Sequence, residues 1–345
     1  MIKQITLVII IGVLIILGSC SSNINGPVQP GPIQPGRRDY TWSVDTISIF
    51  SNNIMEIWGS SPEDIWGVGP GGALNTTIWH YDGKQWKTDG IGRNISPESV
   101  YGFAKNDVWI AGANGKIWHY DGNNWTQNHQ HTINGFIDLT FVDLYGTSNH
   151  DLYAVGTVWF DNETRRGIIL HYDGNNWTQE YLADFNSYFY KVRESFDKRV
   201  FIDCIKQDVK YNSNDTTVLY EFDGKNLKQI YSDENKFIRQ AWVSIIGGNP
   251  YFSLSNTIYK YEGNKLVELF KTNSRFATPS FFGRNEKDIF LGTSEGIAHY
   301  NGTDIQLLLA TEGFVNGGLL FDKEVFFLKS ITTNGMSLIY YGKLK

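Results

Sequence analysis

Four histidines are the first candidates for chemistry. His80, His119, His171 and His299 each sit before or beside a tyrosine in a short strand-like run, "IWHY", "IWHY", "ILHY" and "IAHY". Neutral imidazole is a common ligand of zinc and other transition metals. Four aspartates, Asp64, Asp107, Asp151 and Asp288, are the matching acid–base candidates. Both sets recur at the same slot of four different units, however, and a residue that recurs with the unit serves the unit. Equivalent slots in units radiating from a common axis lie well beyond the ~2 Å bonds of a shared metal. Glu221 and Lys260 fill the histidine slot in two further units. The expectation is therefore no metal and no cofactor, with the aspartates accepting hydrogen bonds from their own turns. Trp79, Trp86, Trp118, Trp125 and Trp177 recur in the same way and read as packing between units.

Residues that break the pattern are free to do something else. One loop swells to "GTVWFDNETRRG", with Trp159, Phe160, Asp161, Glu163, Arg165 and Arg166. The same loop one unit later reads "KQDVKYNSNDTT", with Lys206, Lys210 and Tyr211. A connection "NHQHTINGFID" carries His129, His131 and Phe136. Aromatic side chains beside arginines supply flat apolar area together with directional donors, which is what a recognition surface needs. Trp159, Phe160, Arg165, Arg166, Tyr211, His129 and His131 are thus the expected ligand-binding residues. No catalytic residue is assigned. The chain has no phosphate loop, zinc-protease helix or EF-hand loop. Carboxylate pairs gathered from several units escape any spacing rule.

The elements that position these residues follow from the repeat. An aromatic–Asp/Asn/Glu–Gly turn appears at Tyr81–Gly83, Tyr120–Gly122, Tyr172–Gly174, Phe222–Gly224, Tyr261–Gly263 and Tyr300–Gly302, with a worn copy ending in Gly342. A second anchor pairs an aromatic with Gly at Trp58, Tyr101, Tyr145 and Phe282, each followed at fixed distance by one of the four aspartates. Units of roughly forty residues, each reading as four short strands, predict the blades of a β-propeller. Seven units are counted, with six as the alternative. The last unit lacks a fourth strand, and "YTWSVDT", Tyr40–Thr46, looks like one. The N-terminal strand should therefore close the last blade and leave no open edge there.

The 345 residues divide as a signal segment over 1–19, a Pro/Gly-rich tether over 20–39 and one all-β domain over 40–345. Ile5–Leu17 is mostly apolar, too short to span a bilayer but right for a signal core. It ends in "LGSC", which resembles a bacterial lipobox and implies lipidation of Cys20. Cys204 is the one other cysteine and sits in an apolar run, so it reads as an inert buried thiol. The net charge of −6 carries no basic stripe, which argues against nucleic acid.

The units "IWGSSPEDIWGVG" and "DIFLGTSEGIAHYNG" resemble the propeller repeats of bacterial secreted and lipid-anchored proteins and of two-component sensor propellers. That resemblance implies fold and export, with no particular ligand. The resulting expectation is a monomeric, lipid-anchored module of the bacterial envelope, facing the periplasm or the outer surface. It would bind a protein or a glycan without chemistry and touch the membrane only through its lipid. A structural subunit of an envelope or secretion complex, and a carbohydrate-active hydrolase or lyase, are the alternatives.

Overall fold

The computed structural model describes residues 36–48, 53–70, 72–207, 215–234, 241–272, 280–311, 313, 315, 317–331 and 336–345. The signal segment, most of the tether, and Lys210 and Tyr211 lie outside them. Seven four-stranded antiparallel sheets follow one another. Blades 1 to 6 occupy 56–87, 97–130, 138–182, 187–234, 241–271 and 280–310, with strands a to d in chain order. Blade 7 takes strands a, b and c from Gly317–Leu320, Glu324–Ile331 and Met336–Leu344. Its strand d is Tyr40–Ser48, paired antiparallel with Met336–Leu344 from Tyr40↔Leu344 to Ser48↔Met336. The seven-blade count and the clasp read from sequence both hold. Each strand a touches the strands a of both neighbouring blades, so the ring closes around an axis.

Local chemistry explains why these segments form these hairpins. Asp121 Oδ1 accepts the amides of Asn123 and Asn124, both at 2.8 Å, and Gly122 takes φ 95°. Asp82, Asp173, Asp223 and Asn301 build the same turn between strands c and d. The aromatic–Gly pair in strand a has a steric cause. A Cβ on Gly102 would stand 2.7 Å from the Asp107 carbonyl, and one on Gly146 would stand 2.2 Å from that of Asp151. Only glycine lets the a–b hairpin close so tightly.

The core lies between blades. Trp66, Val68, Ile78, Val100, Ile110 and Trp125 form one shared cluster, and Leu139, Phe141, Leu152, Ile168 and Leu170 belong to the next around the ring. Cys204 is fully buried beside Val218 and Tyr220 and makes no disulfide.

Candidate functional site

The recurring histidines and aspartates meet each other. Strand c presents His80, His119, His171 and His299 to Asp64, Asp107, Asp151 and Asp288 at the start of strand b, at 2.6, 2.8, 2.8 and 2.7 Å. Each ring also packs on the strand-b aromatic, with centroids 4.2 Å apart for Trp66–His80 and Trp109–His119. The sequence predicts turn hydrogen bonds for these aspartates. They do take Ser60 and Thr147 hydroxyls, yet the histidine is the partner common to all four. Blade 4 keeps the contact with reversed polarity, Arg199 donating to Glu221 at 2.7 and 2.9 Å. Burial alone would raise the Asp288 carboxyl, but hydrogen bonds from His299 and Arg284 hold it below its usual range. Burial lowers the His299 imidazole despite Asp288. Among the described residues no three or more His, Cys, Asp or Glu side chains are grouped to hold a metal.

The pattern-breaking residues are brought together in two contiguous groups. Trp159 ends strand b of blade 3 and Arg165 begins strand c opposite it. The Arg165 guanidinium carbon lies 4.0 Å from the Trp159 ring centre and 5.2 Å from that of Tyr188 in blade 4. Arg165 also donates to the Tyr188 hydroxyl and to Asn162 O at 3.0 Å, while its Nε is buried with no partner. Arg166 lies 5.4 Å from the Phe160 ring centre. The Asp161 carboxylate folds the loop by accepting the amides of Glu163 and Thr164. The connection from blade 2 joins this rim: Ile137 N donates to Trp159 O at 2.7 Å, and Phe136 and Phe160 pack on one core. Blade 4's b–c loop begins beside it, with Lys206 4.9 Å from the Phe185 ring centre and Gln207 N bonded to Asn186 O. The same Asn186 accepts the Arg165 amide through its side chain.

His129 and His131 form the second group, at the end of strand d of blade 2 and just beyond it. Their centroids lie 5.8 Å apart, and His129 stands 6.3 Å from Trp177 of blade 3. His131 contacts Gln179 Oε1 at 3.0 Å. Burial and the charge of His131 lower the His129 pKa, which favours neutral imidazole.

One arrangement escaped sequence reasoning. Glu56, Ser99, Asp143 and Lys191 hold the same strand-a slot in blades 1 to 4, two residues before the aromatic position. Lys191 Nζ reaches Asp143 at 2.6 Å and, three blades away, Glu56 at 2.9 Å. Arg193 adds Asp143 at 2.7 Å. Ser99 donates to Glu56 and accepts the Leu144 amide. Burial alone would lower Lys191 and Arg193, yet Asp143 and Glu56 raise both above their ordinary values. In blades 5 to 7 the slot holds Trp242, Ser280 and Gly317. An axial cavity of about 240 Å³ lies between the charged half and this uncharged half. The signal was available: a polar residue placed two before each aromatic in the repeat.

The repeat-breaking start of the domain is also anchored. Arg38 donates to His299 O at 2.9 Å and pairs with Asp304 at 2.8 Å, and Gly36 N reaches Lys287 O. Among the described residues no helix is long and apolar enough to cross a membrane.

No protein-family model and no curated protein matches the chain. Solved propellers do. YCF48 bound to a D1 peptide aligns over 89% of this chain and 99% of its own, at 15% identity and TM-score 0.61. The extracellular domain of the hybrid two-component system BT4673 from B. thetaiotaomicron aligns over 88% of this chain and 39% of its own, at 12% identity and TM-score 0.56. The WD40 propeller of Doa1 covers 89% of this chain and 97% of its own, at 11% identity and TM-score 0.55. These likenesses are to the fold: this chain is a seven-bladed β-propeller with its N-terminal strand sewn into the last blade.

Proposed function

We propose that the chain is a non-catalytic binding module that captures a protein partner on the rim of blades 3 and 4, outside the cytoplasm. The observation that carries this reading is the Arg165 guanidinium set against both the Trp159 and Tyr188 rings. A cation held against two rings is pre-organised, and Trp, Tyr and Arg are the residues that dominate binding hot spots. Arg166 with Phe160 on blade 3, and His129 with His131 on blade 2, extend the surface in this reading. Tyr211, which belongs to the same reading, lies outside the described residues. That YCF48 is bound to a peptide gives a precedent for a propeller of this shape presenting a surface to a polypeptide.

In this proposal, lipid on Cys20 holds the module at a bacterial envelope, the propeller acts as a monomer, and residues 21–35 space it from the bilayer. A glycan is the other partner class compatible with an aromatic–arginine rim. Affinity capture from detergent-solubilised envelopes, comparing the wild-type protein with Trp159→Ala/Arg165→Ala, tests the face. The expected result is loss of a co-purifying protein by at least about tenfold; equal recovery rejects this rim. Incorporation of an alkyne-labelled fatty acid, abolished by Cys20→Ala, tests the anchor.

One observation favours a second reading. Glu56 and Asp143 converge on the axis, as the paired acids of a glycosidase or lyase do. Both are already neutralised by Lys191 and Arg193, which suits a brace across the ring better than a proton-transfer pair. Turnover of any polysaccharide that is lost in Glu56→Gln would reverse that preference.

A further inference from the structure

The axial cavity has a local origin. Two residues after the axial slot, strand a carries a ring in blades 1, 2, 3 and 6: Trp58, Tyr101, Tyr145 and Phe282. Blade 4 places Arg193 at that position and blade 5 places Ser244. The slot itself shrinks to Ser280 in blade 6 and to Gly317 in blade 7. A Cβ added to Gly317 would meet no atom within 4 Å. These absent side chains leave the space of about 240 Å³. It is smaller than the ~300–1,000 Å³ of drug-sized sites, so its occupant is a small molecule. Met55 at its edge is 48% exposed, which marks an opening to solvent.

Hydrogen-bond accounting defines what fits. Asp143 Oδ1 accepts from Lys191, and its Oδ2 accepts from Arg193 Nη1 and from the Val192 amide at 2.8 Å. Glu56 Oε1 accepts from Lys191, and its Oε2 accepts from Ser99 and from the Val100 amide at 3.1 Å. All four carboxylate oxygens are therefore filled by the protein. The donors are not. Arg193 Nε and Nη2 have no acceptor among the described residues, and neither atom is buried. Lys191 spends two of its three N–H groups. Both side chains line the cavity and keep access to it, Lys191 being 26% and Arg193 19% exposed. The Nε–Nη2 edge is the one that takes a carboxylate side-on, as Arg199 shows by donating from the same two atoms to both oxygens of Glu221. Glu56 and Asp143 already offset the two cations, so a second negative charge on a ligand would lack a counter-ion. Across the cavity stand Trp242 and Phe282, both half-buried, and Gly317. An occupant therefore needs one anionic acceptor pair and a compact apolar body.

We propose that the axial cavity binds a small monocarboxylate with a compact apolar body. The carboxylate takes the open edge of Arg193 with Lys191 beside it, and the body lies toward Trp242 and Phe282. The brace formed by Asp143, Lys191 and Glu56 holds the two cations in place. The site is separate from the blade 3–4 rim, and neither proposal depends on the other.

The test is isothermal titration calorimetry of the full-length chain in detergent. The probes are phenylacetate and 3-methylbutanoate at millimolar concentration. Phenylacetamide, which lacks the charge, and phenyl phosphate, which doubles it, are the controls. The expected result is saturable binding of at least one monocarboxylate, at least about tenfold tighter than either control. Gly317→Leu puts a side chain into open space, so it should retain the wild-type melting temperature and weaken binding by at least about tenfold. Arg193→Gln should weaken binding by a similar factor. It also removes a member of the brace, so Gly317→Leu keeps the test decisive if Arg193→Gln does not fold. Three results overturn the proposal: no saturable binding of either monocarboxylate, equal or tighter binding of phenylacetamide or phenyl phosphate, or undiminished binding in folded Gly317→Leu.

Discussion

The clefts on the two sides of blade 2 have matching floors and different roofs. Between blades 2 and 3, Trp109 packs on His119, Tyr172 and Trp177 at 4.2, 5.0 and 5.9 Å. Between blades 1 and 2, Trp66 packs on His80, Tyr120 and Trp125 at 4.2, 5.0 and 5.3 Å. Over the first floor lies a full strand d, from which Asn128 accepts the Trp177 indole proton at 3.0 Å and His129 covers the ring. Over the second, the corresponding positions are Asp89, Gly90 and Gly92, and Asp89 is turned to Arg93. Repeated residues make a floor that any blade pair can share. The connection after strand d decides whether that floor is covered or left open.

This comparison can be broken by stability measurements. The largest effect comes from the floors. Trp66→Ala and Trp109→Ala should each cost about 3–5 kcal/mol in urea unfolding. Trp109→Ala should be the worse by about 1 kcal/mol, because its Nε1 also donates to Asp107 at 2.8 Å while that of Trp66 donates to nothing described. Equal losses would mean that the two floors are energetically alike and that the orphaned indole carries no cost.

A smaller effect sharpens the contrast between the roofs. Asn128→Ala removes the Trp177 acceptor and should cost about 1 kcal/mol. It should also make the Trp177 indole proton exchange faster, moving the closed cleft toward the open one. No change in exchange would show that His129, not Asn128, does the covering.

The smallest effect depends on pH. Burial alone would raise the Asp64 carboxyl, but hydrogen bonds from His80 and Ser60 hold it below its ordinary value. An acid with a depressed folded pKa adds stability that is complete above the unfolded value near ~3.9 and is lost as pH falls through the folded value. Asp64→Asn should thus lower stability at neutral pH, by no more than about 1 kcal/mol for this partly exposed pair, and the gap should close below about pH 4. A gap that does not begin to narrow as pH falls below about 4 would assign the loss to packing instead.

The blades were legible in the sequence because their causes are local. Gly102 must be glycine to clear the Asp107 carbonyl, and Asp121 must be acidic or amide to bind its own turn. Such constraints repeat with the blade, so Trp42 in Tyr40–Ser48 could be aligned with Trp86 and Trp125 and the clasp deduced. The axial brace was less visible. Glu56, Ser99, Asp143 and Lys191 share a position but no chemistry, and only closure of the ring shows that Lys191 meets Glu56. The blade 1–2 cleft was hidden for another reason. It exists because pairing stops after Lys87, and Gly90 and Gly92 signalled an irregular connection without showing what it uncovers. On the rim, the residue types of Trp159 and Arg165 were readable, but their partner Tyr188 comes from the next blade and follows no repeat rule.

The clasp has one more consequence. Lys345 N donates to Asp39 O at 3.1 Å, and the Arg37 guanidinium reaches Lys345 O at 2.6 Å, so the two ends of the paired strands touch. Residues 39 and 345 thus lie side by side at the seam of blade 7. A permuted version stitched at this seam and cut at any other turn between blades would trace the same wheel, with its tether leaving from a different spoke.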